Sequence, residues 1–381
     1  MRIAFVCSNF FSIRRDTKKG TDIIAHTLLT NLAKRQKAQG LQITAFASGD
    51  SDLPVKVESI AHRPASTDAS VTQAGKHMIF ELALLSKAFS QERSYDLYHV
   101  NIGDGDIALP FNPFVKKPIL ITQYHPTPVS YAEAYFSLYQ KSRNVFFASP
   151  TAWQRKRLPF LPYAATIPHG VDDSHFAFHP QGGTTMMWAG RAIPDKGADT
   201  ALKVAKRIRQ NIRLFGTPKT EHAQWFQREV ADKIKRIKRA DLILNKDRLD
   251  LVPHYQNSKL FLFPIRWEEP FGLVFIEALS CGTPVVTYAR GAAPEIVEDG
   301  KTGFLVNPSD DDIRGNWIIK KTGIDGLCEA ARKVYAMQDA EYRIIRRNCR
   351  ERVERCFTAG RMAGEYIKLY EQIISTYEAE S

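Results

Sequence analysis

Two glutamates, Glu269 and Glu277, stand eight residues apart within the run Arg266–Val286. A carboxylate accepts hydrogen bonds from two hydroxyls at once, so it grips a sugar diol well, whereas it does not bind a phosphate. The loop after Glu269 is broken by Pro270 and Gly272, and Leu273–Leu279 then has helix-forming character. Ahead of the loop, Leu260–Ile265 is a short apolar run of buried-strand type. Gly282 and Pro284 close the helix and lead into Val285 and Val286. The order is strand, loop, helix, strand, and it turns a helix N-terminus toward the loop. Such an end has unpaired N–H groups and a positive dipole, which suit a phosphate. If the turns between them are helical, about 12 Å separates the two glutamates. Two diol grips flanking a phosphate-binding helix end describe a site for a nucleotide sugar.

A second constellation is cationic. In Met186–Gly197 an apolar strand ends at Gly190, Arg191 and Lys196 follow, and Gly197 admits the next helix. Arginine binds two phosphate oxygens in a fork and lysine acts as a point charge. Together they would stabilise negative charge as it grows on a departing diphosphate; the plainer reading is a pair of surface ion-pair partners. Asp104-Gly-Asp106 is a formal D-x-D, which reads either as a metal-holding spacing or as a polar turn.

These residues need a scaffold. With 381 residues the chain is long enough for two domains, each burying its own core. Strands are expected at 2–7, 41–47, 96–100, from 117, and at 145–149, 186–190, 212–215, 241–245 and 260–264. Helices are expected at 21–33, 78–91, 323–337, 340–356 and 359–377. Pro168 and Gly170 mark a sharp turn, and the hinge is placed beside it, with a first domain at 1–170, a linker at 171–182, a second domain at 183–357 and a helical tail at 358–381 after it. No apolar run approaches the length that spans a bilayer. Met1–Ser8 is followed by basic residues and no small-residue cleavage site, so it reads as a first strand rather than a signal peptide. Five cysteines without a CxxC spacing fit free thiols in a reducing compartment, which argues against structural zinc and for the cytoplasm.

The formal charge of +12 gathers in Lys203–Arg213, Arg228–Arg248 and Arg343–Arg355. A solvated basic surface is the first reading, and a patch for anionic lipid heads, with a peripheral location on the inner face of the membrane, is the second. A nucleic-acid footprint comes last, because no aromatic-interleaved basic motif accompanies the charge.

Glu269-Pro-Phe-Gly-Leu-Val-Phe-Ile-Glu277 resembles the E-x7-E motif of retaining glycosyltransferases of the GT-B fold, most closely family 4, and Ala278–Val286 follows the same pattern. Gly190, Arg191, Lys196 and Gly197 match that family's Gly-Arg-x-x-x-x-Lys-Gly signature. Ala165–Asp172 is similar to its Ile-Pro-Asn-Gly-Val-Asp segment, with His169 in the asparagine position, while Ala292 stands where a second glycine is usual. Lys19-Gly20 replaces a Gly-Gly pair, so only Gly20 carries over. Thr122 and His125 are one residue further apart than the family's Thr-x-His.

The resemblance implies an α/β protein of two Rossmann-like domains facing each other across a cleft, with the C-terminal helix crossing back to the first. It places Glu277 on the ribose hydroxyls, and Arg191 and Lys196 on the diphosphate. Glu269 and the amides around Phe271, Gly272 and Leu273 would hold the donor sugar, with Gly20 near the diphosphate and His125 near the transferred sugar. The loop after Asn245 would lie over the base, though no residue there is diagnostic. The implied reaction moves a hexose from a nucleotide-diphosphate sugar, a UDP-sugar ahead of a GDP-sugar, to a hydroxyl acceptor entering from the first domain, and it requires no metal. The acceptor could be a glycan, a lipid-linked sugar or a small molecule. Two rivals are a nucleotide-sugar epimerase, which would change the sugar without an acceptor, and a non-catalytic sensor subunit that keeps Glu277 and the cations.

Overall fold

The computed structural model describes residues 1–103, 105–124, 129–156 and 158–380. The chain forms two compact units, Met1–Gly170 with Ala359–Ser381, and Val171–Thr358.

In the first unit seven strands form one parallel sheet: β1 (Arg2–Cys7), β2 (Gln42–Phe46), β3 (Lys56–Glu58), β4 (Leu97–Asn101), β5 (Ile119–Thr122), β6 (Val145–Ser149) and β7 (Tyr163–Thr166), in the order β3-β2-β1-β4-β5-β6-β7. β1, β5 and β6 are nearly continuous apolar runs, as expected of parallel strands covered by helices on both faces. The last helix, Ala359–Glu380, belongs to this unit: Met362, Ala363, Ile367 and Ile373 share a core with Leu28, Leu29 and Leu32 of the helix Gly20–Ala33. Polar contacts fix its register. The Tyr370 hydroxyl meets His99 Nδ1 at 2.7 Å, His99 Nε2 meets Thr122 Oγ1 at 2.7 Å, and Thr122 Oγ1 meets the Tyr366 hydroxyl at 2.9 Å. Burial pushes the pKa of His99 down to about 3 and holds the ring neutral.

The second unit has a six-stranded parallel sheet of β8 (Thr185–Ala192), β9 (Ile212–Pro218), β10 (Ala240–Leu244), β11 (Ser258–Phe263), β12 (Val285–Tyr288) and β13 (Gly303–Val306), ordered β10-β9-β8-β11-β12-β13. Trp188, Phe261, Phe263 and Phe275 fill its centre. In both sheets the strand order reverses once, between β1 and β4 and between β8 and β11. A parallel sheet opens a crevice at the carboxyl ends of the strands where the order reverses. The fold thus points to those two places before any side chain is considered.

Two expectations need correction. Segment 171–182 is not a free linker but lies in the second unit: the Val171 amide donates to Phe357 O at 2.8 Å, Phe176 is buried, and Ser280 Oγ donates to Phe176 O at 2.7 Å. Nor is the basic run Arg343–Arg355 wholly a solvated face. It lies on the helix Asp339–Cys356, whose buried face carries Tyr342, Ile345, Arg346, Cys349 and Val353. Arg346 is fully buried and donates to the carbonyls of His179, Gln256, Ser258 and Cys281 at 2.7–3.2 Å. The guanidinium acts as a stitch between the helix and the amino ends of the central strands.

Candidate functional site

The reversal between β8 and β11 is where the sequence placed its chemistry. Arg191 is the penultimate residue of β8 and is exposed. The chain then turns through Pro194–Lys196 and enters the helix Ala198–Ile208 at Gly197, whose φ is 71°. A Cβ there would stand 2.2 Å from Pro264 O, so only glycine lets this turn approach the end of β11. Arg266 ties the two loops together: its Nη2 donates to both carboxylate oxygens of Asp199 at 2.8 and 2.6 Å, and its backbone N–H donates to Asp195 O at 2.8 Å.

That brace brings Lys196 onto Glu269. Lys196 Nζ lies 2.6 Å from Glu269 Oε2, and the residues are only 7% and 9% exposed. Trp267 Nε1 donates to the same oxygen at 2.9 Å, and the ammonium sits 4.4 Å from the Trp267 ring centroid. Burial, the largest influence, and the nearby Arg191 push the Lys196 pKa down, while Glu269 opposes them. The plainer sequence reading made Lys196 a surface ion-pair partner; its pair is instead buried, with the other candidate residue. The far side of the loop is held too. Glu268 receives the Gly291 amide at 2.8 Å and Arg314 Nη2 at 2.8 Å, and the Ala292 amide donates to Glu269 O at 2.8 Å.

Phe271 is buried against Phe357, and Gly272, with φ 91°, caps the helix Leu273–Ser280. A Cβ on Gly272 would meet Phe275 at 2.6 Å and Glu269 Cγ at 3.2 Å. Leu273 is the first helical residue, so the helix N-terminus opens beside Glu269. One turn further on, Glu277 is 3% exposed and engaged on both oxygens: Arg248 Nε donates to Oε1 at 2.5 Å and the Tyr255 hydroxyl to Oε2 at 3.2 Å. Arg248 follows β10, and its guanidinium lies 4.8 Å from the Phe176 ring centroid.

Arg191, Lys196, Glu269, Phe271, Gly272, Leu273 and Glu277 therefore all belong to the carboxyl-edge loops of the second sheet or to the helix leading away from them. Gly20 lies in the first unit, opening the helix after β1. His125 and Asp104 fall outside the described residues. Asp106 lies in the turn Gly105–Phe114, where its carbonyl accepts the Tyr135 hydroxyl at 3.0 Å. No group of three metal-ligating side chains occurs among the described residues.

Three residues escaped the sequence reading: Trp267, Arg248 and Tyr255. Only Trp267 had a local signal, an indole two positions from Glu269. The other two reach Glu277 from the β10–β11 connection, which sequence spacing does not reveal.

The first unit's reversal point carries buried polar groups. Both side-chain polar atoms of Asn9, Oδ2 of Asp22 and Nδ2 of Asn101 have no hydrogen-bond partner among the described residues. Beside them the Tyr124 hydroxyl donates to Asn101 Oδ1 at 2.6 Å, and Glu81 accepts from Ser8 Oγ at 2.6 Å. Burial raises the pKa values of Asp22 and Glu81. His169 stacks on Tyr124 at 5.3 Å, and burial pushes its pKa down to about 3.

Residues 173–321 match the family model of the glycosyl transferases group 1. The chain is 34% identical over 137 residues to a D-inositol 3-phosphate glycosyltransferase of Mycobacterium sp. (strain KMS), covering 35% of this chain and 30% of that protein. It is 28% identical over 194 residues to a GDP-mannose-dependent alpha-(1-6)-phosphatidylinositol monomannoside mannosyltransferase of Mycolicibacterium smegmatis, covering 44% and 50%. The chain thus spans at most about half the length of these curated relatives. Among solved structures, a sucrose-phosphate synthase from Thermosynechococcus elongatus aligns with a TM-score of 0.73 at 20% identity, over 98% of this chain and 99% of that one. Anabaena HepE, crystallised with UDP and glucose, aligns at 0.69 and 16% identity over 96% and 98%. Residues 173–321 thus resemble the glycosyl transferases group 1, and the chain shares the GT-B fold of the structures it aligns with.

Proposed function

We propose that the chain is a retaining, metal-independent glycosyltransferase of family 4 type that moves a hexose from a nucleotide-diphosphate sugar to a hydroxyl acceptor, with UDP-sugars ahead of GDP-sugars. The observation that carries this reading is the buried Lys196–Glu269 pair at the reversal of the second sheet, beside a helix N-terminus and the exposed Arg191. An ammonium has three donors; one is spent on Glu269 and two are left for phosphate oxygens. Glu269 Oε1 stays open to a hydroxyl of the donor sugar. Glu277, steadied by Arg248 and Tyr255, keeps a second lone pair on each oxygen for the ribose diol.

In the reaction the bond between the anomeric carbon and the phosphate oxygen breaks, and the diphosphate leaves with the electron pair. Arg191, Lys196 and the amides at Leu273 meet its growing charge. The acceptor oxygen bonds to the anomeric carbon on the face just vacated, and its proton passes to the departing phosphate oxygen, so configuration is kept without a separate base. The unmatched polar atoms of Asn9, Asp22 and Asn101 support a hydroxyl-bearing acceptor on the first unit. Among the described residues no helix is long and apolar enough to cross a membrane, which accords with a cytoplasmic or peripheral location.

Nucleotide release from UDP- and GDP-sugars, with and without a panel of acceptors and with chelator present, tests the reading. Acceptor-dependent release that survives chelation is expected, and Arg191→Ala should lower it at least about tenfold. Near-normal transfer by that variant would remove Arg191 from the mechanism. A change in the sugar without acceptor would replace transfer by epimerisation.

A further inference from the structure

The opposite edge of the second sheet carries a second basic feature. The helix Ala198–Ile208 ends just before β9, and Ile237–Arg239 leads into β10, with Ile212 paired to Ala240 across the two strands. Both segments therefore lie at the amino edge, away from Arg191 and Glu269. Between them is a cavity of about 260 Å³, lined by Lys206, Arg209, Lys238 and Arg239 over a floor that includes Ala205 and Ile237.

Several cations nearby have a carboxylate partner: Lys203 has Asp199, which it shares with Arg266, Arg207 has Asp325, Arg213 has Asp241 and Lys235 has Asp232. No carboxylate among the described residues pairs with the four that line the cavity. A helix C-terminus attracts cations by itself, but that demand is already met here. The carbonyls of Ala205 and Lys206 take the Arg209 amide, Gln210 N also donates to Ala205 O, and an Arg239 guanidinium N–H donates to Arg209 O. The Lys206 and Lys238 ammoniums are surplus to it. Like charges converging on a concave surface repel one another until an anion enters, and then each contributes a charge-assisted hydrogen bond.

We propose that this cavity is an anion site that takes a phosphate group on a compact body, separate from the candidate active site. Its volume lies just under the 300–1,000 Å³ usual for pockets that enclose drug-sized ligands. The apolar floor would face the non-phosphate part of the ligand. The proposal does not rest on the glycosyltransferase reading.

The test compares the full chain with Lys206→Gln/Lys238→Gln, which leaves the Arg239–Arg209 link intact, and with the control Arg213→Gln/Lys235→Gln, which removes two cations that have partners. Inorganic pyrophosphate is titrated by calorimetry, and vesicles of phosphatidylcholine with or without 30% phosphatidic acid are used in sedimentation. The candidate active site is unaltered in all three proteins, so differences between them report the cavity. At least a tenfold weaker response to one probe is expected in the cavity variant, with the control near wild type. Loss confined to vesicles identifies a lipid headgroup as the source, and loss confined to pyrophosphate a soluble phosphate. Equal binding of both probes by wild type and the cavity variant would overturn the proposal, as would an equal loss in the control.

Discussion

Replacing Lys196 with methionine removes one half of the pair that orders the candidate site. Its ammonium lies 2.6 Å from Glu269 Oε2, and both side chains are almost wholly buried, so solvent screens the pair little. Removing one partner of a buried ion pair costs about 3–5 kcal/mol, because the other charge stays buried without compensation. Trp267 Nε1 still donates to the orphaned oxygen, which puts the expected loss near the lower end, about 3 kcal/mol. Lys196→Met/Glu269→Leu removes both charges and should recover most of that loss, leaving a coupling of at least about 2 kcal/mol in the double-mutant cycle. Urea unfolding followed by tryptophan fluorescence suits the measurement, since Trp188, Trp225, Trp267 and Trp317 all lie in the second unit. A coupling below about 0.5 kcal/mol, as for an exposed pair, would refute the buried-pair account.

Three further outcomes follow from the geometry. Gly272→Ala puts a Cβ 2.6 Å from Phe275 at a φ of 91°, so a loss of about 1–3 kcal/mol is expected, together with a loss of the thermal shift that a nucleotide sugar confers. Tyr255→Phe deletes a hydrogen bond to the buried Glu277 carboxylate and should cost about 1.5–3 kcal/mol in urea unfolding; an unchanged midpoint would show that the hydroxyl contributes nothing. His99 titrates near 3 when folded against about 6.5 when unfolded, so the unfolded chain takes up the proton first. The stability it contributes is complete above about pH 6.5 and is lost as pH falls toward 3, at up to about 1.4 kcal/mol per unit. His99→Gln should flatten the fall of the urea midpoint between pH 6.5 and 4, and an unaltered slope would contradict a buried neutral ring.

Much of the second unit could be read from its residues because its signals are local. Proline and glycine around Glu269 mark a loop between an apolar strand and a short helix, and Gly190 to Gly197 mark another, so two edge loops were legible. Their meeting was legible only through the resemblance. Arg248 lies 29 residues from Glu277 and reaches it by way of sheet order, which no spacing rule encodes. Arg346 is the opposite case, a signal present but outvoted. It falls on the stripe of Tyr342, Ile345, Cys349 and Val353, at helical spacing, yet the density of charge around it reads as surface. Likewise Val171 and Phe176, apolar residues in the proline- and glycine-marked stretch after Ile167, were the signal that segment 171–182 packs onto a core rather than serving only as a linker.

The return of the final helix has a consequence for how the polypeptide is made. The strands of the first unit are complete once Thr166 is synthesised, but Tyr366 and Tyr370 emerge only after all of Val171–Thr358. At about 5–20 residues per second the ribosome needs on the order of ten to forty seconds to bridge that interval. Throughout it the nascent chain shows an uncovered furrow over Leu28, Leu29 and Leu32, a ready seat for a chaperone. A premature stop after Thr358 would therefore release a finished second half joined to a first half with its greasy seam still open.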